Sequence, residues 1–73
     1  ISTEGGSKLL IDDNTITNTL NASGIAVHFT TDATVSKNKI TNTHLLGIYG
    51  QSTNGIQIID NEVENTGTGV GVG

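Results

Sequence analysis

The 73 residues contain no cysteine, proline, methionine, tryptophan or arginine. Without cysteine there is no disulfide framework and no thiolate metal site. Without proline nothing interrupts a strand ladder. One phenylalanine and one tyrosine are the only large aromatics, too few to fill a wide interior. No apolar run approaches transmembrane length, and no signal-peptide pattern is present. Cations are scarce: three lysines against seven acidic residues give a net charge of −4. Polyanion binding needs a cationic stripe, so nucleic acid is excluded as a partner, and an acidic glycan would need a bridging cation. A closed globule of this length would be marginal. An initial Ile and the lack of Met read as a piece of a larger chain.

What the chain has in quantity is repetition. The phrase "IDDNTITNT" at 11–19 returns as "VSKNKITNT" at 35–43 and as "IIDNEVENT" at 58–66. The blocks Ile1–Asn14, Ile25–Asn38 and Ile48–Asn61 align without a gap, and each unit closes on a glycine, Gly24, Gly47 or Gly69. The units are 24, 23 and 22 residues long, and all the variation falls in the segments "LNAS", "HLL" and "GT" before the glycine. A period just above twenty marks a solenoid. Leucine recurs in no column, which argues against leucine-rich repeats. Alternation of period two with many β-branched residues points instead to an all-β solenoid.

Parity locates a corner. Ile25 and Val27 share one side, and Ala33 and Val35 follow the same rule. Ile40 lies five residues after Val35, so the alternation must slip between them. The natural place is Lys37–Asn38, because asparagine tolerates the left-handed conformation. Each unit is then a rung of three short strands. Stacked rungs lie roughly 4.8 Å apart, which brings equal letters together. Ile1–Ile25–Ile48–Val70, Ile11–Val35–Ile58 and Ile16–Ile40–Val63 become aliphatic stacks. Asn14–Asn38–Asn61 and Asn18–Asn42–Asn65 become amide ladders, each carboxamide the partner of the next. The predicted rungs are 1–24, 25–47 and 48–69, with a fourth beginning at 70–73, where "GTGVGVG" places Val70 and Val72 inward.

The stretch "NKITNTHLLGIYG" combines an Asn, alternating aliphatics, a second Asn, a short loop and Gly-Ile. It resembles the right-handed parallel β-helix repeats of the pectin lyase-like superfamily, and the resemblance runs through the whole chain. It implies a right-handed parallel β-helix of about three rungs. It also implies a secreted or cell-surface setting and a polysaccharide or glycan partner. Polysaccharide lyases, epimerases, glycoside hydrolases and phage tailspikes share this repeat, and substrate usually lies along the strand after the glycine.

On that strand the outward columns are Ser2–Ala26–Tyr49–Gly71 and Glu4–His28–Gln51–Gly73. Tyr49 and His28 become diagonal neighbours about 5–8 Å apart, a candidate catalytic acid/base pair with Glu4 nearby. Against this, the loops before the glycine are too short to wall a cleft, and the arginine base of pectate lyase-type relatives is missing. The same residues also read as a solvated polar column. His44 reads as an exposed loop residue, with Leu45 and Leu46 folding over the side of the rung or touching a neighbouring element. Asp12, Asp13, Asp60, Glu62 and Glu64 raise the question of calcium. However, Lys37 shares a column with Asp13 and Asp60, and Lys39 stacks between Thr15 and Glu62, so charge-alternating ladders are expected with no cofactor or metal. "NAS" at 21–23 is a lone glycosylation sequon. Two functions follow: a mainly structural stacking segment of an extracellular carbohydrate-active β-helix, or a non-enzymatic solenoid that stacks end to end with further rungs or other copies.

Overall fold

The computed structural model describes residues 1–73 and consists of strands and turns. The first rung contributes β1 (Ser2–Glu4), β2 (Leu10–Asp12) and β3 (Thr15–Thr17). Then come β4 (Ile25–His28), β5 (Thr34–Ser36), β6 (Lys39–Gln51), β7 (Gln57–Ile59) and β8 (Glu62–Val72). All the pairings between these strands are parallel. One sheet has the order β2-β5-β7; the other runs β1-β4-β6-β3, with β8 also on β6. The predicted columns are the observed register: Ile11 pairs Val35 and Val35 pairs Ile58. Likewise Ile16 pairs Ile40 and Ile40 pairs Val63.

Separate third strands occur only in the first rung. In the later rungs the third strand runs on into the first strand of the next, which makes β6 13 residues and β8 11 residues long. The cause is loop length. "LNAS" gives the first rung room to leave the sheet, whereas "HLL" and "GT" do not. The one-residue difference between those two loops is absorbed as a register shift between Thr43 and Leu46, as a β-bulge does.

The corners are built from left-handed residues, and they too form columns. Asp13, Lys37 and Asp60 have φ of 58°, 53° and 55°. The turn expected at Lys37–Asn38 is therefore there, but Lys37 adopts the left-handed conformation and Asn38 does not. Three further columns share it: Gly5–Phe29–Ser52, Lys8–Asp32–Gly55 and Asn18–Asn42–Asn65. A left-handed non-glycine residue costs about 1–2 kcal/mol, so each corner persists only because stacking holds it. Phe29, at φ 52°, is the bulkiest residue to do so.

The core is one thin aliphatic column set. Ile25, Val27, Val35, Ile40 and Ile48 are fully buried, with Ile11 and Ala33 nearly so. Burying each Ile or Val contributes about 1.5–3 kcal/mol. The same columns open at the ends, where Ile1 is 47% and Val70 48% exposed. Val70 and Val72 sit in register on Ile48 and Gly50 as expected, but they are covered on one side only.

Beside this core runs the inner amide ladder. The Asn14 backbone N–H and Nδ2 both donate to Asn38 Oδ1, each at 2.9 Å. The Asn38 backbone N–H and Nδ2 then donate to Asn61 Oδ1 at 2.9 and 3.0 Å. Asn38 Nδ2 also reaches the Ile11 carbonyl at 3.0 Å, and Asn61 Nδ2 the Val35 carbonyl at 2.9 Å. The Asn18–Asn42–Asn65 ladder differs in two ways. It is exposed, and its donors point the other way, from Asn65 to Asn42 and from Asn42 to Asn18.

Two of the three closing glycines, Gly24 and Gly47, are steric necessities. A Cβ on Gly24 would lie 2.6 Å from Ile40 Cγ2 and 2.8 Å from the Gly47 carbonyl oxygen. One on Gly47 would overlap Val63 and approach the Gly69 carbonyl at 2.9 Å, whereas one on Gly69 meets nothing within 4 Å.

Two outcomes follow for urea unfolding monitored by circular dichroism. Asn38→Ala strands the Asn14 donors and lowers stability by about 3 kcal/mol, whereas Asn42→Gly, on the exposed ladder, costs under about 1 kcal/mol. Equal losses at the two sites would refute a distinct role for the buried ladder. Gly47→Ala costs about 1–3 kcal/mol by overpacking, and Gly69→Ala changes stability by less than about 0.5 kcal/mol.

Candidate functional site

The register of the first-strand sheet determines which outward side chains meet. Ser2 pairs Ala26, Ala26 pairs Tyr49 and Tyr49 pairs Gly71; Glu4 pairs His28 and His28 pairs Gln51. Tyr49 and His28 are brought together on the diagonal, with ring centroids 5.8 Å apart and planes at 75°. This edge-to-face geometry suits the ring quadrupoles. Both residues are half-buried, while Glu4 and Gln51 in the neighbouring column are exposed.

The floor around Tyr49 is low because its column neighbours are Ala26 and Gly71. Leu46 fills the space over the glycine: a Cβ on Gly71 would stand 2.5 Å from Leu46 Cδ2 and 3.9 Å from Tyr49 Cδ1. Leu46 thus folds over the side of the rung, while Leu45 remains 44% exposed. The result is a shallow face with an aromatic pair standing on small residues. Its imidazole, phenol and nearby carboxylate offer proton-exchanging groups and hydrogen-bonding groups for a polyhydroxylated ligand.

Two features escaped the sequence reading. Phe29 follows His28, and simple alternation would send it inward like Val27. Its left-handed φ turns it out instead, and it is 58% exposed. The corner column Gly5–Phe29–Ser52, with a glycine and a serine as its other members, carried the available signal. The second feature is an open groove of about 360 Å³ where the pre-glycine loops begin, lined by Leu20, Asn42, Thr43, His44, Asn65, Thr66 and Gly67. His44 is exposed there, as expected of a loop residue.

The acidic residues do not gather at this face. Asp13, Lys37 and Asp60 occupy one exposed corner column, and Lys39 stands in register between Thr15 and Glu62. No group of three or more His, Asp or Glu side chains is placed to hold a metal ion. Asn21 of the sequon is exposed on the first loop. No helix is long and apolar enough to cross a membrane.

A comparison with curated proteins found no match. A family model described as a right handed beta helix region matches residues 1–73. The repeat register, the parallel rungs and this match over the whole length agree, and the chain belongs to the right-handed β-helix family.

Proposed function

We propose that this chain is a stacking segment of an extracellular carbohydrate-active β-helix protein, with glycan lying along the outer face of the first-strand sheet. The observation that carries this reading is the edge-to-face His28–Tyr49 pair at 5.8 Å on that face. The only tyrosine of the chain stands there among Ala26, Gly71, Leu46 and polar neighbours, an arrangement that can offer sugar rings and hydroxyls both stacking and hydrogen-bonding partners. In this reading the segment is mainly structural and contributes binding. Lyase, epimerase or hydrolase chemistry on the bound chain then draws on further rungs, with His28 and Tyr49 as the acid/base pair these rungs offer.

The test is a glycan array probed with the 73-residue chain. Retention of at least one polysaccharide class is expected, with affinity reduced about two- to tenfold in Tyr49→Ala by loss of the aromatic contact. An array without any retained glycan would sink the reading.

A second reading, self-assembly by end-to-end stacking, is favoured by the polarity of the inner amide ladder. Ile1 and Val70 continue buried columns yet stand about half exposed. The first rung presents Asn14 Oδ1 as an acceptor and the third presents the Asn61 backbone and side-chain N–H donors, which are complementary ends of one ladder. Sedimentation velocity is expected to show species growing with concentration in this case. Monomers alone at millimolar concentration would count against it.

A further inference from the structure

The glycan reading leaves open which glycans this face accepts, and the placement of charge and aromatic surface answers that. All three lysines lie away from the face: Lys8 and Lys37 at left-handed corners, and Lys39 on the third strand. The face itself carries Glu4, paired in register with His28. A polyuronate laid across it would meet a carboxylate and no lysine side chain. The apolar surface, by contrast, is extended. Phe29 adjoins His28 in the chain and is 58% exposed at the end of β4, where the first-strand sheet turns its corner.

We propose that His28, Tyr49 and Phe29 together form an aromatic ledge for the apolar faces of uncharged sugar rings, so that this face selects neutral glycans over uronates. The proposal rests on the glycan reading above and adds Phe29 as a specificity-determining residue. Phe29 is held out by a backbone conformation that bulky side chains rarely adopt, at a position filled by Gly5 and Ser52 in the adjacent rungs. Folding does not require a phenyl group there. An exposed ring at that point is accounted for by a ligand with C–H-rich faces, to which the negative face of an aromatic ring is complementary.

The chain supplies its own probe. Tyr49 is the sole tyrosine and tryptophan is absent, so intrinsic fluorescence reports on this face alone. Titration with a neutral β-linked oligosaccharide, such as a xylo- or cello-oligosaccharide, is expected to change that fluorescence saturably. Oligogalacturonate under the same conditions is expected to leave it unchanged. Phe29→Ser, which installs the residue found at Ser52, is expected to weaken the neutral ligand about two- to tenfold with the circular dichroism spectrum preserved. Oligogalacturonate binding as tightly as the neutral sugar would overturn the inference while leaving the glycan reading intact. Unchanged affinity in Phe29→Ser would remove Phe29 from the ledge and overturn it as well. Failure of both ligands, together with an empty glycan array, would remove the glycan reading itself.

Discussion

A parallel solenoid of this narrowness depends on what happens to backbone polar groups at its corners. Strand residues find partners above and below, but a left-handed residue lifts the next N–H out of the ladder. The inner asparagine solves this with one side chain. Asn38 Oδ1 takes both the backbone N–H and the Nδ2 of Asn14, while Asn38 Nδ2 binds the Ile11 carbonyl and Asn61 Oδ1. One buried carboxamide therefore joins three rungs. Two donors converge on one oxygen, so the amide has a single satisfied orientation, and the rungs lose freedom to slide. The aliphatic columns supply most of the burial energy, but they are tolerant of small shifts. The amides fix the register in which those columns meet.

That register was legible in the sequence because a stacking partner must be a like residue, so contact is written as repetition. The parity slip between Val35 and Ile40 was legible for the same reason. What could not be read was the division of labour at the corner. Intrinsic preference assigns the left-handed turn to asparagine, but Asn38 is committed to the ladder, so Lys37 takes the turn, as Asp13 and Asp60 do in their rungs. Preference does decide the outer corner, where Asn18, Asn42 and Asn65 are both left-handed and stacked. The merging of third and first strands into β6 and β8 was likewise hidden, since it depends on how little backbone "HLL" and "GT" leave for an excursion. At the candidate site the Tyr49–His28 contact follows directly from register. Phe29 does not, because strand alternation holds only until a corner resets it.

The architecture also separates what is fixed from what is free. Inward columns must match from rung to rung, and the closing glycines must remain bare where Ile40 and Val63 lean on them. Outward columns carry no such demand. Ser2, Ala26, Tyr49 and Gly71 share a position with no common chemistry. A side chain there is chosen for its environment outside the rung, and an aromatic pair set between alanine and glycine alters the surface without disturbing the stack.

The two ladders impose a direction on anything added to the ends. Inner carboxamides donate from the first rung toward the third, and outer ones from the third toward the first. A rung added in the same sense at either end continues both. A rung docked in reverse at the last turn would set the Asn61 donors against the Nδ2 and N–H of another Asn61, and the Asn65 oxygen against a second carbonyl oxygen. An unpaired buried polar group costs about 1–3 kcal/mol, and the inner ladder is the buried one. Exposed aliphatic ends would accept any apolar cover, so hydrophobicity alone gives no polarity. The asparagine ladders therefore favour head-to-tail over reversed stacking of any rung, whether it belongs to the same chain or to another copy.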